Sequence, residues 1–229
     1  MVQRDYLMRT VQQLAHMLAA LFGGRRGRQL AETMERLDAI SATFTGLDLP
    51  TLRSFDYDDL HAILSASGQL AVERAYAAAR VLHADTKLAV ERGAGFSASQ
   101  ALTTYRLLAD VASALGGYVD EHHEESFLEL DDALKGDLAS AEAAEQAFRA
   151  FRSVGRFDRA EDALFAWLAL DPDARVSAES FYDELLGLPE AELERGRLPR
   201  REVREALREL GIAPCQAPHP RVAGGDDTV

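Results

Sequence analysis

The stretch AEAAEQAFRAFRSVGRFDRAEDALFAWLALDP, residues 141–172, decides the fold that the sequence predicts. Apolar residues recur at spacings of three and four on both sides of Gly155, which is the pattern of two amphipathic helices. Glycine adopts a positive φ without steric cost, so we expect Gly155 to end the first helix in the left-handed conformation. Asp158 and Glu161 have the spacing of a capping box, and Pro172 follows the second helix. The stretch therefore predicts a helical hairpin.

This hairpin resembles a tetratricopeptide repeat (TPR), a helix pair that stacks into arrays. The TPR pattern has a large apolar residue, a glycine, an aromatic residue, a small residue, a bulky residue and a proline, in that order. The residues of this chain that match it are Phe151, Gly155, Phe157, Ala160, Leu164 and Pro172. Ala144 and Phe148 replace the usual tryptophan and glycine of the first helix, and Trp167 replaces a small residue. A generic αα-hairpin is the alternative interpretation. The resemblance implies stacked antiparallel hairpins in a TPR-like α-solenoid.

Glycine and proline residues divide the rest of the chain into further stretches of helical period. We therefore expect an all-α protein of about ten to eleven helices. Its predicted parts are an amphipathic helix in residues 1–24, a TPR-like helical domain in residues 25–212 and a disordered tail in residues 213–229.

The composition indicates an acidic, soluble protein and restricts its partners. The chain has 229 residues and a formal net charge of −13, which disfavours a nucleic-acid-binding surface. No stretch approaches the ~20 apolar residues that a membrane span needs. The one cysteine, Cys215, precludes a disulfide within a single chain, which fits a reducing compartment. We expect a cytoplasmic location, and the N-terminus lacks the pattern of a cleavable signal.

The N-terminal helix carries a leucine-rich stripe formed by Leu7, Val11, Leu14, Leu18 and Leu21. The stripe packs either on the next helix or on a second copy of the chain, so a homodimer through residues 1–24 is an open alternative. Such a dimer would make the protein a self-associating regulatory subunit. A membrane-surface role is disfavoured because the polar face holds glutamines and mixed charge rather than a lysine array.

The segment around His122 and His123 is the one that suggests a metal or catalytic site, because glutamates flank both histidines. Adjacent histidines point about 100° apart on a helix, whereas a helical zinc pair is separated by three or four residues. Each histidine has a carboxylate at a spacing of three, Glu125 for His122 and Asp120 for His123, but on different faces. A metal-dependent enzyme is therefore the lesser alternative. We expect no enzyme, no metal and no cofactor, since nucleotide-binding and nucleophile motifs are absent from the sequence.

Four places carry a second, whole-chain resemblance over residues 4–210. They are Asp5 to Arg9, Ala160 to Asp162 ahead of Asp171-Pro172, Phe181-Tyr182 ahead of Leu185-Leu186, and Leu198 to Val203. Together they resemble a functionally uncharacterised bacterial family of short, all-helical, TPR-like proteins. The resemblance implies the fold and a bacterial cytoplasmic setting, and it implies no activity.

The preferred function is a non-enzymatic protein–protein interaction or scaffold module. TPR-like proteins bind peptides on the surface formed by the first helix of each pair, and the resemblance assigns Glu145, Arg149 and Arg152 to that surface. The two arginines would pair with carboxylates of a protein or peptide partner. The alternative is that they are solvated or pair with Glu142 and Glu145 along their own helix.

Overall fold

The computed structural model describes residues 2–23, 30–66, 69–95, 97–134 and 140–212. Within these ranges the chain forms twelve α-helices, one 3-10 helix and one antiparallel pair of two-residue strands. The helices are α1 (Val2–Gly23), α2 (Leu30–Thr45), α3 (Leu49–Ser54), α4 (Tyr57–Leu64), α5 (Val72–Glu91), α6 (Ala98–Leu115), α7 (Glu121–Leu134), α8 (Ala141–Ser153), α9 (Phe157–Leu170), α10 (Arg175–Gly187), α11 (Glu190–Arg195) and α12 (Arg200–Glu209). The strands are β1 (Ser65–Ala66) and β2 (Gln69–Leu70), and the 3-10 helix is Pro172–Ala174. The all-α prediction is confirmed, and the predicted tail lies outside the described residues.

Helix α6 occupies the centre of the packing. It contacts α5 on one side and α8 on another, and it also packs against α4 and α7. Helices α5 and α6 form one extensive pair, and α8 and α9 form another. At the N-terminal end α1 packs on α2 and α5, whereas α10 packs on α12 at the C-terminal end.

Small side chains allow the central pair to approach closely. Helix α5 buries Ala75, Ala77, Ala78 and Ala79 completely, and alanine brings helix backbones together without a loss of helix propensity. Aromatic rings then link the layers, because the rings of Tyr105 and Phe127 stack at 4.7 Å between α6 and α7. The ring of Phe127 also lies 4.8 Å from that of Phe151 on α8.

The hairpin predicted in residues 141–172 is present as α8 and α9. Ser140 caps α8, since its hydroxyl accepts a hydrogen bond from the N–H of Ala143 at 3.2 Å. Gly155 has a φ of +74°, as its left-handed role requires. Phe151 of α8 and Ala160 of α9 are both buried. Whether the hairpins continue as a TPR-like solenoid stays a prediction.

The capping box predicted at Asp158 and Glu161 is wrong. Helix α9 already begins at Phe157, and the N–H of Asp158 donates to the carbonyl of Gly196, 3.0 Å away. The Asp158 carboxylate accepts hydrogen bonds from the Arg156 guanidinium instead. Glu161 accepts from the Tyr182 hydroxyl at 2.8 Å. Tertiary contacts therefore provide what the local motif was expected to provide.

The leucine stripe of the N-terminal helix is buried within the chain. Leu7, Val11, Leu14, Leu18 and Leu21 each keep 5% or less of their surface exposed, and α1 packs on α2 and α5. Packing on the next helix thus accounts for the stripe, and a dimer through it would require α1 to leave these neighbours. None of the helices in the described ranges is long and apolar enough to cross a membrane.

Candidate functional site

Polar side chains link α8 to three other helices, α4, α6 and α10. We call the surface that carries these side chains the polar face. Its members are Tyr57 and His61 of α4, Arg106 and Asp110 of α6, Glu145, Gln146, Arg149 and Arg152 of α8, and Glu184 of α10. The three residues predicted to bind a partner all lie on it. The polar face is therefore the candidate site.

Its interior is a hydrogen-bond network around Asp110. The Tyr57 hydroxyl donates to the Asp110 carboxylate, and the Gln146 amide donates in turn to the Tyr57 oxygen. The same amide lies 3.4 Å from the second oxygen of Asp110. His61 approaches this carboxylate to 3.9 Å from the outer side. Burial raises the pKa of Asp110, while the hydrogen bond from Tyr57 opposes that rise.

Arg106 of α6 is also a member of this network. Its guanidinium lies 3.6 Å from the centroid of the Tyr57 ring, which is a cation–π geometry. The Arg106 Nε donates to the Gln146 side-chain oxygen at 2.6 Å. Burial and the Asp110 carboxylate raise the pKa of the Tyr57 hydroxyl well above its ordinary value, so Tyr57 remains a donor. The network thus holds α4, α6 and α8 in one register.

The predicted residues lie on the same helix as Gln146 and form ion pairs of their own. Arg149 donates to Glu145, one turn earlier on α8, and its side chain is 67% exposed. That contact is the intrahelical pairing that the sequence left open. Arg152 reaches across to Glu184 of α10, and these two side chains are 37% and 44% exposed. The structure brings the three predicted residues onto one surface and adds Glu184 as a fourth member.

Tyr57, Asp110 and Gln146 were not predicted from the sequence. Tyr57 and Asp110 are 53 positions apart, and Tyr57 and Gln146 are 89 apart, so no local motif joins them. The one feature of the sequence that could have indicated them is a polar residue beside the apolar stripe of a helix. Such residues occur throughout the chain, so this feature does not single out these three.

A family model described as a family of unknown function, DUF6483, matches residues 1–212. The chain belongs to DUF6483. No curated protein and no solved structure shows significant similarity to it. The predicted membership of a functionally uncharacterised family is confirmed. The bacterial setting and the TPR-like character of DUF6483 stay predictions.

The two adjacent histidines of this DUF6483 chain have different environments. His123 is fully buried, and its Nδ1 accepts from the N–H of Val119 at 3.1 Å while its Nε2 donates to the Leu108 carbonyl at 3.0 Å. His122 is exposed and lies 3.3 Å from Glu125, the partner expected from their spacing. In the part of the chain that the structure describes, no three histidine, cysteine, aspartate or glutamate residues are grouped to hold a metal.

A cleft of about 310 Å³ separates α5 from α7 in the DUF6483 chain. Lys87 on one wall forms an ion pair with Glu129 on the other at 2.9 Å, and the His83 Nε2 lies 3.4 Å from the same carboxylate. Burial, together with the charge of Lys87, lowers the pKa of His83 to about 4. Charged side chains of the two walls are therefore already paired with each other, and the polar face remains the better candidate site.

Proposed function

We propose that this DUF6483 protein is a non-enzymatic interaction or scaffold module, and that a protein or peptide partner binds on the polar face. The observation that carries the proposal is the position of Arg149 and Arg152. Both guanidinium groups are at the surface of α8, and both are already paired with a carboxylate of the chain itself. A partner carboxylate would replace Glu145 or Glu184 and would accept the same kind of hydrogen bond from the arginine.

The geometry favours such an exchange for two reasons. Arginine–carboxylate pairs are charge-assisted and frequently bidentate, so the orientation of an incoming acid is restricted. The Asp110 network ties α8, which carries the two arginines, to α4 and α6, and a preformed surface loses less conformational entropy on binding than a mobile one.

The interaction role also agrees with the packing of the hairpins. Helix α8 packs on α6 as well as on its hairpin partner α9, which is the neighbour relation expected of stacked helix pairs. We therefore extend the proposal to a TPR-like arrangement in which α8 lines the binding surface. We also propose that the protein acts in the bacterial cytoplasm, since its single cysteine suits a reducing compartment.

Quantitative affinity capture tests the proposal. The full chain would be used as bait in a lysate of its source organism, in parallel with an Arg149→Ala/Arg152→Ala double variant. Arg36→Ala is the matched control, because Arg36 also pairs with a glutamate four residues earlier and is 49% exposed. We expect specific partners to be depleted by the double variant and retained by the control.

Circular dichroism should show equal helix content in all three proteins, because the substituted side chains are on the surface. If the double variant captured the same proteins in the same amounts as the unmodified chain, the polar face would not be the binding surface. If no protein were enriched over an unrelated acidic bait, the interaction role itself would fail.

A further inference from the structure

A second charged surface lies at the C-terminal end of the described chain, on α12 and the turn before it. Its members are arginines spaced by four, three and four residues, namely Arg197, Arg201, Arg204 and Arg208, which we call the arginine stripe. This spacing places the three helical members on one side of α12. The opposite side of the helix is buried through Val203, Ala206 and Leu207. All four arginines are exposed, and Arg201 and Arg208 keep 78% and 73% of their side-chain surface.

The arginine stripe has few close partners within the chain. Arg201 lies 3.7 Å from its neighbour Glu202, and Arg208 lies 3.9 Å from Glu205, which are loose surface contacts. Among the described residues, Arg197 and Arg204 form no ion pair. By comparison, Arg159 on α9 lies 2.9 Å from Asp131. The guanidinium donors of the stripe are therefore still available to another molecule.

The backbone at Arg197 gives a second and independent indication. Arg197 is the one residue other than glycine with a positive φ in the described ranges, at +59°. This position follows the end of α11, where glycine is the usual residue because it adopts the left-handed conformation without strain. Arginine adopts this conformation at a steric cost that glycine avoids, and strained positions of this kind cluster at functional sites. Arg197, the residue in this strained conformation, is a member of the arginine stripe.

The charge of this region is opposite to that of the whole protein. Residues 197–208, the extent of the stripe, contain five arginines and two glutamates, a net charge of +3, whereas the chain carries −13. The remainder therefore carries −16. A nucleic acid duplex or an anionic membrane extends beyond the stripe and would face that negative remainder as well. A short peptide would be confined to the stripe, and charges farther than about 10 Å away are screened at physiological salt.

We propose that the arginine stripe is a docking surface for a short acidic peptide segment of a protein partner. The seven-residue separation of Arg201 and Arg208 corresponds to about 10 Å along α12, which about three extended residues would span. Carboxylates on such a segment would accept paired hydrogen bonds from successive guanidinium groups. This surface is separate from the polar face, so neither proposal depends on the other.

Fluorescence anisotropy with a fluorescein-labelled hexaglutamate peptide and the full chain tests the assignment, starting at physiological ionic strength. We expect saturable binding that weakens as salt is added. The Arg201→Glu/Arg204→Glu variant should bind at least about tenfold more weakly, since two attractions become repulsions. Arg36→Glu on α2 is the control and should leave the affinity unchanged.

Arg197→Gly separates binding from folding. Glycine relieves the left-handed strain, so the unfolding midpoint should hold or rise while the affinity for hexaglutamate falls a few-fold. Circular dichroism checks that each variant keeps its helix content.

Three results would overturn the assignment. The first is no saturable binding of hexaglutamate by the unmodified chain, and the second is equal affinity in the double variant. The third is tighter binding of duplex DNA or of phosphatidylglycerol vesicles that the same double variant abolishes, because the stripe would then serve another class of ligand.

Discussion

Replacing His123 with glutamine should remove part of the acid sensitivity of the folded protein. The imidazole of His123 has no exposed surface, and both ring nitrogens are already hydrogen-bonded in the neutral form. A second proton would have to sit on Nδ1, where it would face the N–H of Val119. Burial is the largest cause that lowers the pKa of His123 to about 4, and the nearby charge of Arg80 acts in the same direction.

The size of the effect follows from proton linkage. An unfolded histidine has a pKa of about 6.5, so between pH 6.5 and 4 the unfolded chain binds a proton that the folded chain excludes. The stabilisation is complete above pH 6.5 and is lost as the pH falls towards 4. At about 1.4 kcal/mol for each pH unit, His123 accounts for about 2 kcal/mol between pH 6.5 and 5, and for about 3 kcal/mol by pH 4.

The assay is urea unfolding at several pH values between 4.5 and 8 for the unmodified protein and for His123→Gln. The variant will be less stable throughout, because glutamine cannot reproduce both hydrogen bonds. The informative quantity is the difference between the two free energies of unfolding, which should shrink by about 2 kcal/mol from pH 7 to pH 5. Every other titrating group, including the buried His83, cancels in that difference.

His122→Gln is the matched control, since its ring is exposed on the same helix. It should follow the pH profile of the unmodified protein. A constant difference between His123→Gln and the unmodified protein across the whole pH range would refute the reasoning, because burial would then not control the protonation of this histidine.

Two further predictions concern stability. A Cβ added by Gly196→Ala would lie 2.2 Å from the Cδ2 of Phe157, so we expect a loss of about 1–3 kcal/mol in the free energy of unfolding, measured by denaturant titration; an unchanged midpoint would contradict the close packing. Asp85→Ala leaves Arg53 without its buried acceptor and should cost about 2 kcal/mol, less than for a fully buried pair because Arg53 is 33% exposed. The control Asp58→Ala, 85% exposed, should remain within about 0.5 kcal/mol, and an equal loss in both variants would contradict this account.

The candidate site was only partly predictable. The pairing of Arg149 with Glu145 depends on a spacing of four along one helix, which periodicity makes visible. The pairing of Arg152 with Glu184 joins residues 32 positions apart, and its register depends on how α10 lies against α8. Asp110 was missed for the same reason, because its partners come from two other helices.

The sequence by itself determined the helices, their apolar sides and the turn at Gly155, because helix period and the freedom of glycine act over a few neighbouring residues. Only the tertiary structure decided which elements those apolar sides pack against. It placed the α1 stripe against α2 and α5, and it gave the amide of Asp158 to the carbonyl of Gly196 in place of a local cap. Buried polar groups need partners wherever the fold can bring them, and sequence distance does not limit that choice.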